Sequence, residues 1–315
     1  MNRRYGPGPV GAGLIALVLL AGAGYAIWRG GGAVPAAERF DLGRAGTVLY
    51  VDSGGRYVHQ ATRAGAHLGA GPECHRAYAA RGTLACLRGL GPQFSAELTV
   101  YDTRLRRRLS LPIWGTPSRV RVSPSGHLVA WTVFRSGDSY LAAGGFSTTA
   151  GIYDLRTRAH HGSLEDYTAY VDGKPYARVD ANYWGVTFAA DDRTFYATMA
   201  SAERTWLMRG DLDSRTLTAI RGNVECPSLS PDGTRIAYKK RIGDRWRLHV
   251  LELAGGRDVA LAEPAHVDDQ PAWLDDATVA YTRPDPDSPA VYAVPADGSG
   301  SPRRLFAGSS PAALG

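Results

Sequence analysis

One short pattern recurs six times along the 315 residues, and it constrains the fold more than any other feature of the chain. A turn rich in Asp, Ser and Gly is followed each time by a short apolar or aromatic run. The residues that mark the start of these runs are Thr47, Thr83, His127, Thr194, Arg235 and Thr278, so successive copies begin 36, 44, 67, 41 and 43 residues apart. A second run follows at 98–103, 150–155, 206–212, 248–253 and 290–294, and then a polar turn leads to a short strand ending near Leu109, Leu164, Ile220, Leu261 or Leu305. Four strands in about 43 residues is the content of one propeller blade. Such a sheet cannot bury both faces alone, so the copies must pack against one another.

The expected fold is therefore all-β, a six-bladed β-propeller over residues 38–308, with 309–315 as a flexible tail. Glycine at 38 residues and proline at 19 disfavour a long helical bundle, and the 44% apolar content excludes a disordered chain.

The turns carry a resemblance. Ser230-Pro231-Asp232-Gly233 and Ser123-Pro124-Ser125-Gly126, with eroded copies at Ala190-Asp191-Asp192 and Leu274-Asp275-Asp276, are similar to the repeat of the TolB-like (PD40, WD40-like) six-bladed propellers. That resemblance spans nearly all of 38–308. It implies the fold and is poor for function, because related propellers serve as interaction scaffolds, as accessory domains of peptidases and as enzymes.

Residues 10–28 contain no charge, and Arg3 and Arg4 precede them. Nineteen residues of helix rise about 28 Å, close to the hydrocarbon thickness of a bilayer. The expectation is a cytoplasmic stretch 1–9, a single transmembrane helix or signal segment at 10–28, a linker at 29–37 and an extracytoplasmic propeller. A secreted form is the alternative, with Val34-Pro35-Ala36 as a passable cleavage site.

Three cysteines allow at most one internal bridge, and Cys74 with Cys86, flanking a hairpin centred on residues 80–82, is the candidate pair. Cys226 then reads as a buried unpaired thiol. The net charge of +6 rests on arginine, the lysines being Lys174, Lys239 and Lys240 alone. Its one dense run, Arg104 with Arg106–Arg108, reads as a solvated strand edge, and no element for specific nucleic-acid recognition is present.

Function is less legible. There is no nucleophile elbow, zinc-protease helix, phosphate-binding loop or paired-cysteine motif, and Gly145-Phe146-Ser147 lacks the second glycine of an elbow. Binding of an envelope protein or cell-wall component, without a cofactor, is the leading expectation. Two insertions after the third marker, 135–147 and 162–184, should meet on one rim and bring Tyr140, Phe146, Tyr167, Tyr170, Tyr176, Tyr183 and Trp184 together as partner-binding aromatics; packing of these rings against their own blade is the competing reading. The alternative function is a metal-dependent hydrolase, lyase or lactonase-like enzyme, with calcium or another divalent metal held in the channel by Glu225, His266, Asp268 and Asp269.

Overall fold

The computed structural model describes residues 39–315 apart from Gly55, 92–94 and 136–146. The amino-terminal stretch, the expected membrane segment and the linker lie outside these residues, as do Tyr140 and Phe146. Among the described residues no helix is long and apolar enough to cross a membrane.

The strands form six sheets, a six-bladed propeller. Blade 1 contains β1 (Thr47–Val51), β2 (Tyr57–Thr62) and β3 (His67–Glu73); blade 2 contains β4 (Arg76–Ala80), β5 (Thr83–Gly89), β6 (Ser95–Tyr101) and β7 (Arg107–Trp114). Blade 3 is β8 (Thr116–Val122), β9 (Leu128–Arg135), β10 (Ser147–Asp154) and β11 (His160–Ser163). A hairpin of β12 (Thr168–Val171) and β13 (Lys174–Tyr176) comes next, before blade 4 with β14 (Asn182–Phe188), β15 (Thr194–Ser201), β16 (Arg204–Asp211) and β17 (Thr216–Gly222). Blade 5 is β18 (Glu225–Leu229), β19 (Arg235–Ile242), β20 (Arg245–Glu252) and β21 (Asp258–Ala260). Blade 6 is β22 (Ala272–Asp275), β23 (Thr278–Arg283), β24 (Ala290–Pro295) and β25 (Arg303–Ala307).

The expected flexible tail is instead a strand. β26 (Ser309–Leu314) pairs antiparallel with β1 and supplies the innermost strand that blade 1 otherwise lacks. Ala312 and Leu314 are fully buried there, which a stretch of small residues after a glycine does not announce. The innermost strands then touch in a closed cycle, β26 to β4, β8, β14, β18, β22 and back to β26.

The marker strands read as continuous apolar runs because both of their faces are buried. Successive side chains point to opposite faces, so Leu49 and Val51 join the core shared with blade 2 while Val48 and Tyr50 join the one shared with blade 6. Phe195, Ala197 and Met199 face blade 3, and Tyr196 faces blade 5. Among the described residues the buried apolar side chains fall into six clusters, one at each blade interface.

The repeat turn has a common geometry. Gly233 and Gly126 take φ of +72° and +80°, a region that favours glycine. Ser230 Oγ accepts from Arg235 N at 3.0 Å, and Ser123 Oγ accepts from Leu128 N at 3.0 Å, so the serine ties the two ends of each turn together.

Cys74 and Cys86 form a disulfide with Cα atoms 5.3 Å apart. The register of the hairpin differs from the expected one, because a two-residue turn at Arg81-Gly82 sets Ala80 opposite Thr83 and Ala77 opposite Cys86. Cys74 lies ahead of β4, so the bridge fastens the link between blades 1 and 2 onto β5.

Candidate functional site: the channel mouth and its adjoining groove

In each blade the turns joining the second strand to the third, and the connections from one blade to the next, lie on one face of the ring. Two cavities are lined by residues of that face. A groove of about 870 Å³ runs between blades 4 and 5, where Trp184, Glu203, Arg204, Asn223, Arg241 and Trp246 are prominent. A second cavity of about 420 Å³ opens at the channel mouth, against Asp52, Arg76, Arg119, Asp268, Asp269 and Thr282.

Local pairing explains the groove. The hairpin from β15 to β16 turns at Ala202-Glu203, both at positive φ, which holds Glu203 and Arg204 at its edge. Trp246, near the start of β20, lies between two cations, with Lys239 Nζ 4.5 Å and the Arg241 guanidinium 4.8 Å from its ring centre. Its indole N–H donates to Glu225 Oε1 at 2.9 Å, and its backbone N–H donates to His266 Nδ1 at 3.3 Å. The ring is thus fixed in place.

The channel mouth is dominated by arginine. Arg119 and Arg121 alternate on β8 and both face the channel, Arg121 being the deeper. Arg121 reaches across to blade 6, donating to the Pro271 carbonyl at 2.6 Å while lying 4.3 Å over the Tyr78 ring. Arg119 meets Asp269 at 3.2 Å, and the other Asp269 oxygen accepts from Thr282 N at 3.0 Å. Arg76, at the entrance of β4, donates through Nε to the Ser118 carbonyl at 2.8 Å. Burial, together with the charge of Arg119, lowers the Arg76 pKa below its ordinary value; the group is still a cation. Among the described residues no carboxylate lies within 4 Å of it.

The four residues expected to hold a metal are placed differently from a ligand set. Glu225 is engaged by Trp246, His266 by the Trp246 backbone, Asp268 by Lys239 Nζ at 2.5 Å, and Asp269 by Arg119 and Thr282. Burial raises the Asp268 pKa, but Lys239 and Arg119 more than offset this and hold it below the usual carboxylate range. Among the described residues no three His, Cys, Asp or Glu side chains gather so as to hold a metal ion. Asp268 and Asp269 are paired with cations and Glu225 with an indole N–H, so the donor set does not fit a metal. Cys226 is an unpaired, buried thiol on β18.

The insertion at 162–184 does not stand out as an aromatic rim. It folds back as β12 and β13 onto the outer edge of blade 4, where β12 runs parallel to β17 and makes that sheet six-stranded. Tyr167 is buried, edge-on to Phe195 with the Arg215 guanidinium 4.7 Å above its ring. Tyr176 packs on Trp206 and donates its hydroxyl to Ser201 Oγ at 2.9 Å. Tyr183 lies in the core with its phenol pushed up to about 12 by burial, and Tyr170 is half-buried on β12. Of the described aromatics in that set, Trp184 lines the groove between blades 4 and 5, while Tyr167, Tyr176 and Tyr183 line a separate cavity of about 540 Å³ at the insertion. The alternation of Arg119 and Arg121 is visible in the sequence, and β8 as an innermost strand sets it beside the channel.

No family model matches the chain, and no curated protein matches it. Its fold is similar to solved propellers. TolB from Acinetobacter baumannii superimposes with a TM-score of 0.65 at 15% identity, over 85% of this chain and 66% of that one. Kuenenia stuttgartiensis hydrazine synthase gives 0.50 at 14% identity, over 82% of this chain and 76% of that one. A TolB from Agrobacterium tumefaciens gives 0.45 at 14% identity, over 83% and 82%. At these identities the likeness is one of fold.

Proposed function

We propose that this propeller, built on the same plan as TolB, is a binding module that takes an acidic segment of a partner protein in the groove between blades 4 and 5. The observation that carries this reading is the pairing of anchored tryptophans with unneutralised arginines. Trp246 and Trp184 offer rigid apolar surface, while Arg204 and Arg241, on the groove edge, have no carboxylate within 4 Å among the described residues. Tryptophan and arginine are the residue types that dominate binding energy at interfaces. The enzyme alternative is disfavoured by the engagement of every acid it would use.

The finer reading places the module outside the cytoplasm, tethered by residues 10–28 and facing an envelope component. The uncharged run behind Arg3 and Arg4 supports it. So does the Cys74–Cys86 bridge, since disulfides persist in oxidising compartments.

The test is crosslinking in intact cells, with mass spectrometry of the captured partner and of the protein's own amino-terminal peptide. Partner crosslinks along the groove should disappear in an R204E/R241E double variant that still folds. Crosslinks confined to the opposite face, or unchanged by the double variant, would overturn the groove reading.

A further inference from the structure

The channel mouth has a chemistry that the groove does not require. Arg76 and Arg119 lie side by side, both donating to the Ser118 carbonyl at 2.8 Å, and Asp269 is in direct contact with Arg119 while acting on Arg76 only from beyond 4 Å. Three donors facing this region have no acceptor among the described residues: the second terminal nitrogen of Arg76, Nε of Arg119 and the hydroxyl of Thr282. Arg119 Nε and Thr282 Oγ1 are buried, and a buried donor left without an acceptor costs stability. Arg121 crosses beneath them to blade 6 and closes the channel below.

Asp268 lines the same cavity. One of its oxygens accepts from the buried Lys239, the other has no partner among the described residues, and the side chain is 57% exposed. Asp52 lines the cavity too, with one oxygen accepting from its own turn at Arg56 N. The cavity therefore holds both a guanidinium short of an anion and a carboxylate with an open acceptor. A plain dianion would satisfy the first and be repelled by the second. A volume of about 420 Å³ is in the range of small-molecule pockets, roughly 300–1,000 Å³.

We infer that the channel mouth binds a small zwitterion, a free amino acid or dipeptide, with its carboxylate on Arg76 and Arg119 and its ammonium on Asp268. Bidentate guanidinium–carboxylate pairing fits the free edge of Arg76. No residue of this site is shared with the groove edge that carries the proposed function, so the two readings stand or fall separately.

The experiment is calorimetric titration of the folded protein with three probes: alanyl-alanine, N-acetyl-alanine and inorganic phosphate. Alanyl-alanine should bind tighter than the other two. R76Q should weaken all three by about tenfold or more, as expected for a lost charged hydrogen bond. D268N should weaken alanyl-alanine by a similar factor and leave N-acetyl-alanine unchanged, while R108Q, on the outer strand β7, should change nothing. Thermal melts of each variant without probe establish that it is folded. Absence of binding by the folded wild type overturns the inference, as does a preference for phosphate that D268N does not alter.

Discussion

Ser125 Oγ donates to Asp192 Oδ1 at 2.6 Å, joining the repeat turn of blade 3 to that of blade 4. The same link recurs two blades on, where Asp232 N donates to Asp276 Oδ1 at 3.0 Å. The second aspartate of each eroded turn is thus the acceptor for the intact turn of the preceding blade. Arg63 closes a comparable contact between blades 1 and 6, 2.6 Å from Asp275. Turns that look degenerate in the sequence are complementary halves of interblade contacts.

D192A should accordingly destabilise the protein by about 1 kcal/mol, the usual net worth of one hydrogen bond, and D276A by a similar amount. Chemical denaturation monitored by tryptophan fluorescence reads this directly. A double-mutant cycle of S125A with D192A should show coupling, and strict additivity would count against the interblade contact.

Stability should fall in acid. Backbone N–H donation from Ser214 and the Arg193 guanidinium hold Asp211 at about 2. Burial raises Asp275, but the Ala277 N–H and Arg63 more than offset it and leave it below the ordinary value. For a carboxylate lowered in the folded state, the unfolded chain takes up the proton first. Its stabilisation is complete above the unfolded value of about 3.9 and is lost as pH falls through the folded one. Melting temperature should be flat from pH 7 to about 5 and drop below about 4, with D211N reducing the drop. A melting temperature unchanged down to pH 2 would contradict this account.

Removal of residues 309–315 should prevent formation of a stable ring. The deletion strips β1 of its inner partner and exposes the core that Ala312 and Leu314 share with blade 2. A milder variant, A312D, places a charge in the same fully buried position. Limited proteolysis should cut both variants within blade 1 first, and wild-type protease resistance in either would show that the closing strand is dispensable.

Blade number, strand order within blades and the marker strands were legible because they rest on local signals: turn residues at fixed offsets and apolar runs of the right length. The closing strand was not, because Ser309–Leu314 owes its conformation to a partner more than 250 positions earlier. The insertion after blade 3 read as exposed because aromatic residues beside charges look alike on a rim and in a packed edge. What decided its place was the parallel pairing of Thr168–Tyr170 with Thr216–Thr218. Close approach was equally hidden: Gly210 sits opposite Phe195, where a β-carbon would come within 2.2 Å of the ring. The cavity arginines were visible as residues, yet their shared orientation depends on which strand lies innermost.

Because the last strand completes the first blade, the ring has no finished intermediate during synthesis. Blades 2 to 6 can form in order as the chain emerges, but β1 waits with an open edge until its carboxy-terminal partner is released. Ser309–Leu314 thus acts as a latch on the ring, and a chain lacking it leaves one edge of β1 unpaired.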